Sequence, residues 1–104
     1  MRLISQDGRI DIPYENNVVY VCANYGYNKD MKYVITGYKI VIFVGYDDSH
    51  NLGDYSTKEK ALKVIEEIRE HYQKLIDFDY SAIKGIKDRP SIYYYMPQDN
   101  EVHV

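Results

Sequence analysis

Apolar residues recur at spacings of three and four across Asp54–Ile76, the best-defined stretch of the chain. Ala61, Leu62, Ile65, Ile68, Tyr72, Leu75 and Ile76 fall on one stripe with polar residues between them. That is the pattern of an amphipathic helix with one face on a core. Ser56 followed three residues later by Glu59 reads as a capping box. The hydroxyl accepts from the Glu59 N–H, and the carboxylate reaches back to the Ser56 N–H. Glu59–Lys63 and Glu70–Lys74 are i,i+4 pairs in the favourable order, each worth roughly 0.2–0.5 kcal/mol. No Pro or Gly interrupts the run, so the pattern predicts a helix over about residues 57–76.

Elsewhere the pattern shortens to strands. Arg2–Ser5 and Ile10–Ile12 flank Gln6-Asp7-Gly8-Arg9, and Asp-Gly is a hairpin signal. Asn17–Ala23 is apolar on both faces, which predicts a central strand. Asn24–Asp30 reads as a polar turn with Tyr25 and Tyr27 at its tip. Met31–Tyr46 reads as strand interrupted at Gly37. The glycine fits either a bend in one long strand, which the pattern favours, or a hairpin turn between strands near 31–36 and 39–46. Asp47–Asn51 is a turn and Leu52–Tyr55 a short strand running into the helix. Beyond the helix, Phe78, Tyr80, Ile83 and Ile86 suggest irregular cover over residues 77–88. Ser91–Met96 is a last strand stopped by Pro97, and the final seven residues read as frayed. The expected fold is α+β: one domain over residues 1–104, an antiparallel sheet of about five strands, and the helix packed on one face. The last strand is expected to return beside an amino-terminal one.

Composition sharpens this in three places. The net charge of −3 disfavours direct nucleic-acid binding, which needs a surplus of Lys and Arg. The single Cys22 leaves no internal disulfide, fits a reducing cytoplasm, and is expected to be a buried, inert thiol. No leader-like apolar segment opens the sequence and no run approaches the ~18 apolar residues of a membrane span. Tyrosine is the departure, with 13 Tyr against 2 Phe and no Trp. Tyr suits half-wet positions in a sheet and is enriched at binding surfaces. Tyr-rich edge strands also leave a homodimer open.

Chemistry is sparse. Asp47, Asp48, Ser49 and His50 are adjacent, but catalytic groups are assembled from distant positions, and this composition is what a turn selects. The histidines at 50, 71 and 103 lack metal-ligand spacing. The glycines are too isolated for a phosphate loop. No cofactor, no metal and no enzymatic activity are expected. Two surfaces qualify as contact candidates. One joins Tyr25, Tyr27, Asp47 and Asp48 to the acidic helix residues Glu66, Glu67 and Glu70, with Asp77 and Asp79 beyond. The other sets Lys84, Lys87 and Arg89 beside Tyr80, Tyr93 and Tyr95, a basic–aromatic pairing that suits a nucleotide.

Three segments carry a resemblance: ISQDG…DIPYE (Ile4–Glu15), LGDYSTKEKALKVIEEIREHY (Leu52–Tyr72) and YYYMPQDNEV (Tyr93–Val102). In that order they resemble small proteins encoded by phages, prophages and mobile elements of Firmicutes-type bacteria. The middle, Cys22–Asn51, does not follow the resemblance closely. The resemblance implies a non-enzymatic protein in the bacterial cytoplasm that binds and inhibits a host target, such as a CRISPR nuclease or another defence component. The competing expectations are a protein that sequesters a small nucleotide signal and a nucleic-acid-associated regulator.

Overall fold

The computed structural model describes residues 1–45, 47–78 and 90–104. These form β1 (Arg2–Ile4), β2 (Asp11–Pro13), β3 (Val18–Tyr27), β4 (Tyr33–Phe43), β5 (Ser49–Tyr55), α1 (Lys58–Ile76) and β6 (Tyr93–Tyr95), followed by a single 3₁₀ turn at Asp99–Glu101. The fold is α+β, but the single five-stranded sheet expected from the pattern is replaced by two sheets of three strands, in the orders β2-β1-β6 and β3-β4-β5. Among the described residues, no helix is long and apolar enough to cross a membrane.

The first sheet begins with the expected hairpin, Leu3 opposite Ile12. Its turn holds because Gly8 takes φ +74°, a conformation that costs other L-residues more. Asp7 Oδ1 accepts from Ser5 Oγ at 2.6 Å and from the Arg9 N–H at 3.0 Å. The last strand does return beside β1, but in parallel, Leu3 opposite Tyr94. Parallel neighbours need a long crossover; here everything from β2 to α1 intervenes.

The second sheet is an antiparallel meander. β4 is one long strand through Gly37, so the glycine is not a hairpin turn. The pairing shifts there, from Asn24 opposite Gly37 to Tyr25 opposite Ile35. β3 lies at the edge of this sheet and not in its centre. The reason is in its two faces. Val19 and Val21 pack toward the core, whereas Val18 on the other face is 60% exposed.

One buried cluster takes Leu3 from the first sheet with Met96 just beyond β6, Ile40, Ile42, Leu52 and Tyr55 from the second, and Ala61, Val64 and Ile68 from α1. The helical stripe is therefore rotated from the expected one. Val64 joins it, while Leu62 and Ile76 stay exposed. The helix also starts one residue later than the capping box placed it. Thr57 is the N-cap, its hydroxyl accepting from the Lys60 N–H at 3.2 Å. Thr57→Ala should cost about 1 kcal/mol, to be read from urea denaturation, whereas Ser56→Ala tests a different contact.

That contact anchors the tail. Ser56 donates to Asp99 Oδ1 from its backbone N–H at 2.8 Å and its hydroxyl at 3.1 Å. Lys60 Nζ lies 3.5 Å from Asp99 Oδ2 and donates to the Asp99 carbonyl at 2.9 Å. Gln98 and Glu101 close a capping box around the 3₁₀ turn, and Val102 is buried. The expectation of a frayed end thus fails over residues 98–102, because Val102 is buried in the core and Asp99 is tied to the helix start. The Ser56 N–H, then its hydroxyl and Lys60, hold the Asp99 carboxyl below its ordinary value. A depressed folded-state pKa gives stability that is present above the unfolded value of about 3.9 and lost as pH falls through the folded one. Melting temperature should therefore drop less steeply between about pH 5 and pH 2 in Asp99→Ala than in the parent chain.

Gln6 joins the two sheets. Its Nε2 donates to the Asp54 carbonyl at 3.1 Å and the Pro97 carbonyl at 2.9 Å, and its Oε1 accepts from the Asp54 N–H at 2.7 Å. Its backbone N–H donates to Leu52 O at 2.8 Å, and its carbonyl accepts from Gln98 Nε2 at 2.9 Å. Tyr55 Oη also donates to Pro97 O, at 2.8 Å. These residues come from all three segments that carry the resemblance, so those segments meet at a structural joint.

Candidate functional site

β5 covers β4 only between Tyr38 and Phe43. Beyond Tyr38, Tyr33–Gly37 pairs on its described side with Asn24–Tyr27 alone, so this end of the meander is a two-stranded arm. The molecule measures 62 × 34 × 20 Å. The radius of gyration is 16.2 Å, where a compact chain of this length would have about 13 Å.

A bare two-stranded ribbon is marginal in water. This one is held by its turn and its aromatics. Asn28 Oδ1 accepts from the N–H groups of Asp30 and Lys32 at 2.9 and 3.0 Å, and the Asn28 N–H donates to Lys32 O. Met31 sits there at φ +60°, a left-handed conformation that disfavours such a side chain. Tyr33 stacks on Tyr25 with centroids 5.0 Å apart and an 11° interplanar angle. Tyr27, its cross-strand partner, lies against it at 5.5 Å and 52°. Each such pair contributes about 0.5–1.5 kcal/mol.

The stack leaves most of the rings wet. Tyr27 is 67% exposed and Tyr33 64%, and Tyr25, Ile35 and Met31 are also exposed. Because side chains alternate along a strand, Tyr25 and Tyr27 share one face with their partners Ile35 and Tyr33. The result is one continuous apolar face made of three tyrosines and an isoleucine. None of these residues belongs to the buried cluster or packs against it. Tyr25 and Tyr27 are therefore strand residues and not loop-tip residues; the turn is the shorter Asn28–Lys32 segment. Tyr33 and Ile35 were missed, although the repeat at 25, 27 and 33, 35 is visible once both stretches are read as paired strands.

The other candidates disperse. Asp47 holds φ +64° in the turn before β5. Asp48 lies 3.2 Å from His50 Nε2, and its carbonyl accepts from the Val44 N–H, which matches a turn at Asp47–Asp48, whereas Ser49, His50 and Asn51, expected in that turn, are strand residues of β5. Among the described residues, no group of His, Cys, Asp and Glu could hold a metal ion. The acidic helix set divides. Glu66 and Glu70 are exposed, whereas Glu67 turns inward and accepts from Tyr94 Oη at 3.3 Å. Burial, then the Glu67 charge, raises the Tyr94 hydroxyl pKa. Burial does the same at Tyr55. Lys84, Lys87 and Arg89, with Asp79, Tyr80, Ile83 and Ile86, lie outside the described residues. Tyr93 and Tyr95 are exposed on β6. Cys22, expected to be buried, is half-buried on the face of β3 that it shares with Val18 and Tyr20.

A cleft of about 190 Å³ lies at the joint, lined by residues that include Gln6, Asp7, Asn51 and Asp54. Several of its polar groups are already partnered: Asn51 Nδ2 donates to the Asp54 carboxylate and Asn51 Oδ1 accepts from the Gly53 N–H. Compared with protein-family models, curated proteins and solved structures, the chain matches none.

Proposed function

We propose that this chain is a non-enzymatic inhibitor of phage or mobile-element origin. In this reading it works in the bacterial cytoplasm and binds a host protein, a component of bacterial defence such as a CRISPR nuclease, through the aromatic arm. The observation that carries the reading is the uncovered face of Tyr25, Tyr27, Tyr33 and Ile35. Exposed tyrosines on a paired backbone offer large contact area at low entropic cost, which is the chemistry of a protein-binding surface. The resemblance supports it from another side. Its three segments build the joint between the sheets, and the arm falls in Cys22–Asn51, the part the resemblance leaves free.

The test is a plating experiment. The chain is expressed in a Gram-positive host whose CRISPR nuclease targets an infecting phage, and plaque numbers are compared with a host carrying an empty vector. The parent chain should raise plating efficiency, and the arm variant treated in the Discussion should not. No rise against any of a panel of defence systems would refute inhibition. A rise kept in full by the arm variant would refute the arm as its surface.

A further inference from the structure

β3 presents an unusual edge. Its ten residues, VVYVCANYGY, contain no charged group and no proline. Among the described residues no strand pairs with its outer side. Natural edges of this length are normally protected by a charge, a proline or a short span. The other outer strands comply, and the open stretch of β4 in the arm, Tyr33–Gly37, is short and ends at a register shift. β2 and β6 are three residues each. β5 carries Asp54, and Gln6 bonds to the backbone of Leu52 and Asp54. β3 thus has the composition of a central strand at an edge position.

We infer that the edge of β3 pairs with β3 of a second copy, in antiparallel register, to form a continuous six-stranded sheet. A second copy is the occupant that this charge pattern fits. The chain carries net charge −3, so two copies repel at long range, and an uncharged contact strand sets no like charges opposite each other to add to that repulsion. An edge fitted to a charged target would carry complementary charge. Pairing about a two-fold axis uses both edges at once and closes the assembly as a dimer, without leading to a fibre.

The symmetry also restricts the register. Two antiparallel neighbours in one sheet are related by an axis perpendicular to it, so residues opposite each other must lie on the same face. Even-numbered positions then face even-numbered ones. The middle of β3 falls between Cys22 and Ala23. The best-overlapped registers set Cys22 opposite Cys22 of the second copy or opposite its Asn24. Val18 and Tyr20, 60% and 38% exposed, would then be shielded along the outer face.

Light scattering after size exclusion, with the chain at high micromolar concentration, tests this. The expected mass is twice the 12.3 kDa of one chain, falling to one chain in Tyr20→Lys and in Val18→Lys. Both positions are exposed, so folding should survive, as circular dichroism will show. A short bis-maleimide should join the parent dimer through Cys22, and Cys22→Ser should abolish the product. A parent chain that is monomeric throughout would overturn the inference. So would a dimer that persists in both folded lysine variants. If neither lysine variant folds, the reagent decides, and a dimer that it fails to join through Cys22 rejects β3 pairing.

Discussion

Gly53→Ala is expected to destabilise the chain by about 2–4 kcal/mol, through hydrogen bonds it does not itself make. A Cβ at position 53 would stand 2.8 Å from Gln6 Cδ and 3.1 Å from Gln6 Oε1. A free glutamine would swing away at little cost. This one is held by its bonds to Asp54 and Pro97, so moving it frees the Asp54 N–H and removes one of two donors on the Pro97 carbonyl. Against a total stability of about 5–15 kcal/mol, the loss is large. Urea denaturation of a double-mutant cycle checks the cause. With the obstacle removed by Gln6→Ala, the further change Gly53→Ala should be close to neutral. Additive costs would show that the glycine is needed for another reason.

The second large effect is expected in binding, with a smaller cost in stability. Replacing Tyr25, Tyr27 and Tyr33 together with Ala strips the arm of its rings. Their mutual contacts are worth about 0.5–1.5 kcal/mol per pair, but these act within the arm, and no ring of the three packs on the buried cluster. The loss is therefore confined to the arm, and the buried cluster should keep a cooperative thermal transition, lowered by at most about 4–8 °C per kcal/mol lost. The proposed host-protein affinity should fall by on the order of a hundredfold or more, because central aromatic side chains cost about 2 kcal/mol or more each when truncated at an interface. Calorimetry with a purified defence nuclease that the parent chain binds would measure this. A triple variant that binds as tightly as the parent would remove the arm from the interface. One that unfolds early would show that the rings serve the fold.

What the pattern along the chain conveyed, and what it hid, follows from the range of the forces involved. The helix, the β1–β2 hairpin and the long β4 were legible because periodicity and turn chemistry act within a few residues. The division into two sheets was not. An apolar run says that a strand is buried, not which strands it joins, and here the joint is made by one glutamine side chain reaching Asp54 and Pro97. Ser56 and Thr57 are both good caps, so sequence alone could not separate them; Asp99, 43 positions away from Ser56, does. The pattern of β3 points to a central strand because a strand apolar on both faces is ordinarily enclosed. The tyrosines were legible only as an excess. Tyr55 buries its ring and Tyr94 half-buries its own, and both donate their hydroxyls inward, to Pro97 and Glu67, while those of the arm stay wet. That sorting depends on which strands outrun their neighbours.

The parallel seating of β6 beside β1 also sets an order of assembly. The meander and α1 close through contacts between neighbouring elements, so they can form as the chain leaves the ribosome. The seam between Gln6 and Pro97 joins positions 91 residues apart, and closing so long a loop is slow. During synthesis the arm is therefore built and displayed before β1 has its second neighbour. The newborn chain carries its exposed aromatic face while its first sheet is still a lone hairpin.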